Sequence, residues 1–229
     1  MVIDLGVSIP DSKSLDLFIQ MAQKLGFSGL ATSSVGDKPD QHTEEGFLIL
    51  KRADVSGVRL KSLRKKVEGV RKHSMIVSVK LASVETANWA AEDHRVDFLT
   101  VDGSQEYRLR DSTAGLAASS GTALEIRFEP LLRLSGLNRS RVIKTYREAI
   151  KTATDSGMQV IISSGATHPL HMRSSVSMRH IGELLGLNTK YAEIAVSQIP
   201  MTIVERNRKR FSSDYVAEGI EILQREGKP

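Results

Sequence analysis

Short runs of β-forming residues alternate with amphipathic helical patterns along nearly the whole chain. That alternation restricts the fold more than any other feature, because strand after helix after strand is how a parallel sheet is wound. Seven runs read as strands: Val2–Leu5, Ser28–Thr32, Phe47–Lys51, Met75–Val79, Asp97–Val101, Ala123–Arg127 and Gln159–Ser163. The helices between them have legible faces and ends. Leu15, Phe18, Ile19, Ala22 and Leu25 recur at helical spacing behind Asp11 and Ser12 as caps, and Gly26 supplies the stop. Asn138 reads as the cap of a helix with the inner stripe Val142, Ile143, Tyr146, Ile150 and Ala153, closed by Gly157. Leu60, Leu63, Val67 and Val70 form a third core face, which leaves Lys61, Arg64, Lys65 and Lys72 pointing outward. Beyond Ser163 the pattern is helical: Ser174–Leu185, Thr189–Ser197, Pro200–Arg210 and Ser213–Gln224.

No G-x-G-x-x-G follows the first strand, so the commonest reason for choosing an open dinucleotide-binding sheet is missing. Seven strands in 229 residues fall short of the eight strands and about 250 residues usual for a closed barrel. The expected fold is therefore α/β: a distorted TIM-like (β/α) barrel of about seven parallel strands with extra C-terminal helices. No Pro-, Ser- or Gly-rich linker divides the chain, so residues 1–229 are expected to form a single domain.

The chain has no cysteine, which removes disulfides, thiolate metal sites and a cysteine nucleophile. No apolar run approaches the roughly 18 to 20 residues of a membrane span, and Met1-Val2-Ile3-Asp4-Leu5-Gly6 does not read as a signal peptide. A cytoplasmic protein beginning near Met1, with no membrane partner, is expected. The formal charge of +5 is small, but its distribution is uneven. Arg59 to His73 holds seven cations against Glu68 alone, which is more positive charge than the whole chain nets. Arg127 to Arg147 holds six against Glu129, and Arg206 to Arg210 adds four, whereas Glu85 to Glu106 carries six acids and one arginine. Clusters of this kind, set against an acidic strip, suggest a polyanion-binding face. Aromatic residues are only 5% and show no base-stacking platform, so any nucleic-acid contact is expected to be with phosphates and shape. Trp89 and the methionines read as packing residues.

Functional groups of a barrel sit at the carboxyl ends of its strands. That criterion selects Asp4-Leu5-Gly6, Lys80, Asp102-Gly103, Arg127 and Ser163-Ser164-Gly165-Ala166. If Leu124 and Ile126 face the helices, alternation turns Glu125 and Arg127 into the barrel. Buried charges need partners, so Asp4 and Glu125 are expected to meet cations such as Lys80 or Arg127. The Ser163–Ala166 loop offers small residues whose N–H groups can approach an anion. His168 and His171 are candidate metal ligands, although Pro169 between them argues against a helical pair.

Val160-Ile161-Ile162-Ser163-Ser164-Gly165-Ala166, then Pro169-Leu170 and Met172-Arg173, then Ile181-Gly182-Glu183-Leu184-Leu185-Gly186-Leu187 and Ala192–Ser197 are quite specific in combination. They resemble the C-terminal signature of the ribonuclease P protein component 3 family, the archaeal relatives of the eukaryotic p30 subunit. The order of elements matches along nearly the full chain. The resemblance implies a distorted TIM-like barrel distantly related to PHP-type metal phosphoesterases. It also implies an accessory subunit of the particle that removes 5′ leaders from precursor tRNA, with hydrolysis carried by the RNA subunit and its Mg2+. No catalytic residue, metal ligand or cofactor is then expected in this chain. The implied partners are the ribonuclease P RNA, protein component 2, the other protein components and, indirectly, precursor tRNA. Arg173 and Arg127 carry over as RNA contacts; Arg179, Lys80, Arg64 and Lys65 join them on charge. The opening strand has Asp4 but no His-x-His pair, which departs from the phosphoesterase relatives. Two rival readings remain at this point. One is a PHP-like metal-dependent phosphoesterase using His168, His171 and carboxylates, and the other is a metabolic barrel enzyme holding a substrate phosphate on the Ser163–Ala166 loop.

Overall fold

The structure, a computed structural model, describes residues 1–101, 103 and 107–212 in full, and the backbone of 215–217 and 220–221. In chain order the strands are β1 (Ile3–Asp4), β2 (Gly29–Thr32), β3 (Asp40–His42), β4 (Leu48–Val55), β5 (Ile76–Lys80), β6 (Phe98–Val101), β7 (Ala123–Arg127) and β8 (Val160–Ser163). All but β3 run parallel, in the order β1-β2-β4-β5-β6-β7-β8. Every expected strand is present. The antiparallel β3, which periodicity did not reveal, pairs Asp40–His42 with the first half of β4. That half of β4 also pairs with β2, while its second half, Arg52–Val55, pairs with β5. One long strand thus bridges two parts of the sheet, and the barrel is distorted there.

The gap between β1 and β8 is bridged just beyond the strand ends. Gly165 N–H donates to the Gly6 carbonyl at 2.7 Å and Ser8 N–H to the Ala166 carbonyl at 2.9 Å. The result is a nearly closed barrel of seven parallel strands.

Side chains on the inner faces change character along each strand. β4 presents Leu48, Leu50, Arg52 and Asp54; β5 presents Ile76, Ser78 and Lys80; β7 presents Ala123, Glu125 and Arg127. The amino end of the barrel is apolar, the middle polar and the carboxyl mouth charged. Outward residues such as Leu30, Val77, Leu99, Leu124, Ile126 and Ile162 pack under the helices.

The helices are α1 (Leu15–Lys24), α2 (Leu60–Arg71), α3 (Val84–Glu92), α4 (Asp111–Ser120), α5 (Glu129–Arg133), α6 (Gly136–Asp155), α7 (Ser175–Leu184), α8 (Thr189–Val196) and α9 (Gln198–Arg210). α2 buries Leu63 and Val67; α6 buries Val142, Tyr146 and Ile150. Asn138 lies inside the first turn of α6 rather than capping it, because Gly136, at φ +51°, turns the chain into the helix two residues earlier. Among the described residues no helix is long and apolar enough to cross a membrane.

α9 closes the amino end. Ile199, Ile203 and Val204 pack on the apolar floor made by Ile3, Leu48, Ile76, Phe98 and Ile161. Behind them the buried Asp97 carboxylate accepts hydrogen bonds from Arg71 (2.6 Å), Arg206 (2.8 Å), Asn207 (2.8 Å) and the Val77 N–H (2.8 Å). This joins α2, α9, β5 and β6 at one point. Arg71 and Arg206, which the charge pattern assigns to a polyanion face, are therefore held by an internal carboxylate. The helix expected over Ser213–Gln224 is also corrected: Tyr215–Ala217 and Ile220–Glu221 pair as antiparallel strands, as their β-branched and aromatic residues favour. Ser213, Asp214, 218–219 and 222–229 lie outside the described residues, as do Asp102 and Glu106.

Leu63 is fully buried, so Leu63→Ala should cost about 2–5 kcal/mol of stability in urea unfolding. Leu170, 66% exposed, is the control; Leu170→Ala should stay within about 0.5 kcal/mol of the parent.

Candidate functional site

Strand alternation carries Glu125 into the barrel, where it is completely buried. Five donors converge on its two oxygens. Arg52 contributes Nη1 at 2.7 Å and Nη2 at 2.6 Å, Thr100 its hydroxyl at 2.6 Å, Ser163 its hydroxyl at 2.7 Å and Arg127 its Nε at 3.2 Å. Arg52 also donates to the Leu5 carbonyl and lies 5.7 Å from the centre of the Phe98 ring. Both arginines then reach Asp54, which is nearer the surface: Arg52 Nη2 at 2.8 Å, and Arg127 through its own Nη2. Burial pushes the Glu125 carboxyl up, but the charges of Arg127 and Arg52, with hydrogen bonds from Arg52 and Thr100, outweigh it. Glu125 is held well below the ordinary carboxylate range and stays ionised.

Backbone geometry is fitted to this lattice. A Cβ on Gly6 would stand 2.6 Å from Glu125 Oε1 and would collide with Ser163. Gly165 combines φ +65° with a Cβ position 2.9 Å from Arg127 Cβ. Neither position tolerates a side chain.

The expectation that Glu125 meets Arg127 is met, and Arg52 is the partner that sequence reasoning missed. Asp4 behaves differently. It meets no cation among the described residues; its Oδ1 accepts the N–H groups of Gly6 (3.2 Å) and Ser164 (3.1 Å), so it clamps the seam between β1 and β8. Its Oδ2 is buried without a hydrogen-bond partner. Burial pushes this carboxyl up, against the hydrogen bonds from Ser164 and Gly6. The same seam answers the anion-loop reading. Ser164 N–H is bonded to Asp4, Gly165 N–H to Gly6 and Ala166 N–H to the Ser164 hydroxyl at 3.1 Å, so this loop turns its N–H groups inward.

His168 and His171 come close, with ring centroids 5.7 Å apart. His168 Nδ1 is occupied by the Leu170 N–H at 3.2 Å, and His171 Nδ1 faces Glu129 at 3.7 Å. Glu129, buried and bonded to Arg133 and Thr167, is a second mouth residue that periodicity did not mark. No group of three or more His, Asp or Glu side chains able to hold a metal occurs among the described residues. The mouth carboxylates Glu125, Asp54 and Glu129 are instead bonded to arginine. This donor set does not fit the metal centre of a PHP-type phosphoesterase.

The remaining cations lie at the mouth, on α2, and on the exit loop with α7. Lys80 and Arg127 face the mouth, where a cavity of about 350 Å³ opens. Arg64 and Lys65 are exposed on α2, with the Arg64 guanidinium 5.7 Å from the Trp89 ring centre. Arg173 follows the exit loop, its Nη1 donating to the Leu170 (2.8 Å) and Met172 (2.7 Å) carbonyls, and Arg179 lies on α7 beside His180 and Glu183. Between α2 and α6 lie α3 and α4, each packed on its neighbour. The basic segments thus flank the acidic strip rather than merging into one patch.

A family model for RNase P subunit p30 matches residues 1–212, the described barrel and its C-terminal helices. The chain belongs to the RNase P subunit p30 family. Ribonuclease P protein component 3 of Methanosarcina barkeri is 27% identical over 95% of this chain and 93% of its own length. The component 3 proteins of Methanosarcina mazei (28%, over 96% and 94%) and Methanocaldococcus jannaschii (26%, over 75% and 76%) are similar too. Among solved structures, a chain of archaeal ribonuclease P with mature tRNA superposes with a TM-score of 0.80 at 20% identity, covering 99% of this chain and 100% of that one. The p30-family barrel is thereby matched in fold over its whole length.

In this p30-family chain the Glu125 lattice should contribute to the acid limb of stability. Glu125 has a lower pKa folded than unfolded, so its contribution is complete above the ordinary carboxylate pKa and is lost as pH falls below it. Glu125→Gln should destabilise the fold at neutral pH by about 3 kcal/mol or more and flatten the acid limb of a plot of urea midpoint against pH. An unchanged acid limb would mean that the ion pair does not govern it.

Proposed function

We propose that this chain, a protein subunit of ribonuclease P, works as an RNA-binding scaffold. Ribonuclease P removes the 5′ leader of precursor tRNA with its RNA subunit as catalyst, and family membership over residues 1–212 carries the assignment. The surface supports the scaffold role. α2 turns Leu63 and Val67 into the core and exposes Lys61, Arg64 and Lys65; α6 exposes Arg139, Arg141, Lys144 and Arg147. Cations carried on rigid helices neutralise phosphates along a folded RNA without reading its sequence. Mg2+ belongs, in this reading, to the RNA-containing holoenzyme.

Among protein partners, component 2 is the one assigned here, with the remaining components of the particle around it. Exposed apolar side chains support a protein contact: Leu17 on α1, Leu170 on the Pro169–His171 turn that packs against α1, and Val176 and Leu184 on α7. Precursor tRNA is met indirectly, through the assembled particle.

Affinity for the cognate RNA should fall steeply with salt, as counterion release requires. Removing Arg64 and Lys65 together should reduce the slope of log affinity against log salt by roughly one to two, measured by filter binding. Arg173→Ala should lower cleavage by the reconstituted particle several-fold while the urea midpoint of the free chain stays unchanged. A fall in that midpoint would make Arg173 a structural clamp of the exit loop, and salt-independent RNA binding would count against the scaffold role.

A further inference from the structure

α2 and α6 each carry an excess of positive charge, and they face different directions. Lys61, Arg64, Lys65, Lys66 and the C-cap residue Lys72 are exposed on α2 against Glu68 alone. Arg139, Arg141, Lys144, Arg147 and Lys151 are exposed on α6 against Glu148 and Asp155. α2 packs over β4 and β5, and α6 over β7 and β8. Because β4 to β8 are consecutive in the sheet, the two helices stand three positions apart in a ring of seven parallel strands, close to opposite sides of the barrel. The two helices between them, α3 and α4, contain no lysine or arginine and expose Glu85, Glu92 and Asp111. Three steps between packed helix axes put roughly 25 Å of surface between the two basic rows, well over the Debye length of about 10 Å at 0.1 M salt. The two fields are therefore independent, and carboxylates repel a phosphate chain that crosses from one to the other. A straight RNA helix lying against a convex body touches one side of it, so no single duplex reaches both rows.

We propose that this chain is a two-sided RNA bridge: α2 holds the phosphate backbone of one RNA helix, α6 holds that of a second, and the barrel fixes the distance between them. The inference rests on the scaffold reading and deepens it, because a one-sided protein coats RNA whereas a two-sided one sets the separation of two RNA segments. Leu63 and Val67 anchor α2, and Val142, Tyr146 and Ile150 anchor α6, so neither row shifts freely on the barrel. When both segments belong to one RNA, the second contact becomes intramolecular and raises affinity without any further contact. A reporter for one of the two faces is already present. Trp89, the single tryptophan of the chain, lies half-buried on α3 with the Arg64 guanidinium 5.7 Å from its ring centre. RNA held on α2 engages Arg64 and should change the Trp89 emission, whereas RNA held on α6 is too distant to do so.

The experiment mixes the full chain with a short RNA hairpin, half of it labelled with a donor dye and half with an acceptor, near 0.1 M salt. Titration should give two hairpins per chain, and energy transfer should rise and then fall as excess protein separates the pairs. The triple variant Lys61→Gln, Arg64→Gln, Lys65→Gln should bind one hairpin, lose the transfer and lose the Trp89 response. The triple variant Arg141→Gln, Lys144→Gln, Arg147→Gln should also bind one hairpin and lose the transfer, but keep the Trp89 response. Glutamine has a helix propensity close to that of lysine and arginine, and thermal unfolding of each variant confirms the fold. Lys190→Gln, at an exposed position on α8, should behave as the parent. One hairpin per parent chain, or energy transfer that survives in either triple variant, would overturn the bridge while leaving the scaffold reading intact. Absence of RNA binding by the parent chain would overturn both.

Discussion

Glu125 is buried without access to water, and two guanidinium groups neutralise its carboxylate while two hydroxyls complete its hydrogen bonds. Much of the upper barrel follows from that requirement. Arg52 must be delivered by β4, which therefore continues two turns of the pleat beyond its pairing with β2 and joins β5 instead. Thr100 stands opposite Glu125 on β6, and Ser163 stands opposite Arg127 on β8. Gly6 keeps the first loop thin enough to pass the carboxylate. Removing one partner of such a set is costly because the others remain buried and charged.

The amino end is stabilised by different physics. There the inner faces are apolar, and α9 lays Ile199, Ile203 and Val204 across them. Asp97 fastens the plug through Arg206 and Asn207 and ties it to α2 through Arg71. Dry packing at one end and an ion lattice at the other leave only the carboxyl mouth polar. Any chemistry the barrel performs on small ligands has to occur there.

The seven parallel strands were legible because each is an apolar run bounded by turn residues, a signal that survives without tertiary information. The inward placement of Glu125 and Arg127 followed from simple alternation. The same alternation continues through Leu48, Leu50, Arg52 and Asp54, but Lys51-Arg52 read as the end of a strand, because adjacent cations are seldom buried. Arg52 was missed for that reason, although its position on the period was the signal. Asp97, Arg71 and Arg206 were legible only as charge, since their meeting depends on three elements far apart in sequence. Asp4 was placed correctly as a strand-end carboxylate, but its partners are N–H groups of the far seam, which no local pattern records. The antiparallel Asp40–His42 strand carries no apolar pattern of its own, because its pairing depends on the edge of β4.

The mouth also explains how a barrel of this architecture can serve a particle whose catalyst is RNA. A metal-dependent hydrolase of this shape needs carboxylates and imidazoles left open toward a common centre. Here Glu125, Asp54 and Glu129 are each engaged by arginine, and His168 is engaged by main chain. An arginine–carboxylate lattice holds charge in fixed positions, which suits recognition of an anion more than turnover of one. The outer helices repeat the same division of labour on a larger scale. Their apolar stripes fix them on the barrel, and their cations are then presented with a spacing set by the fold. Rigid presentation lowers the ordering cost that a flexible basic tail would meet on binding a folded RNA.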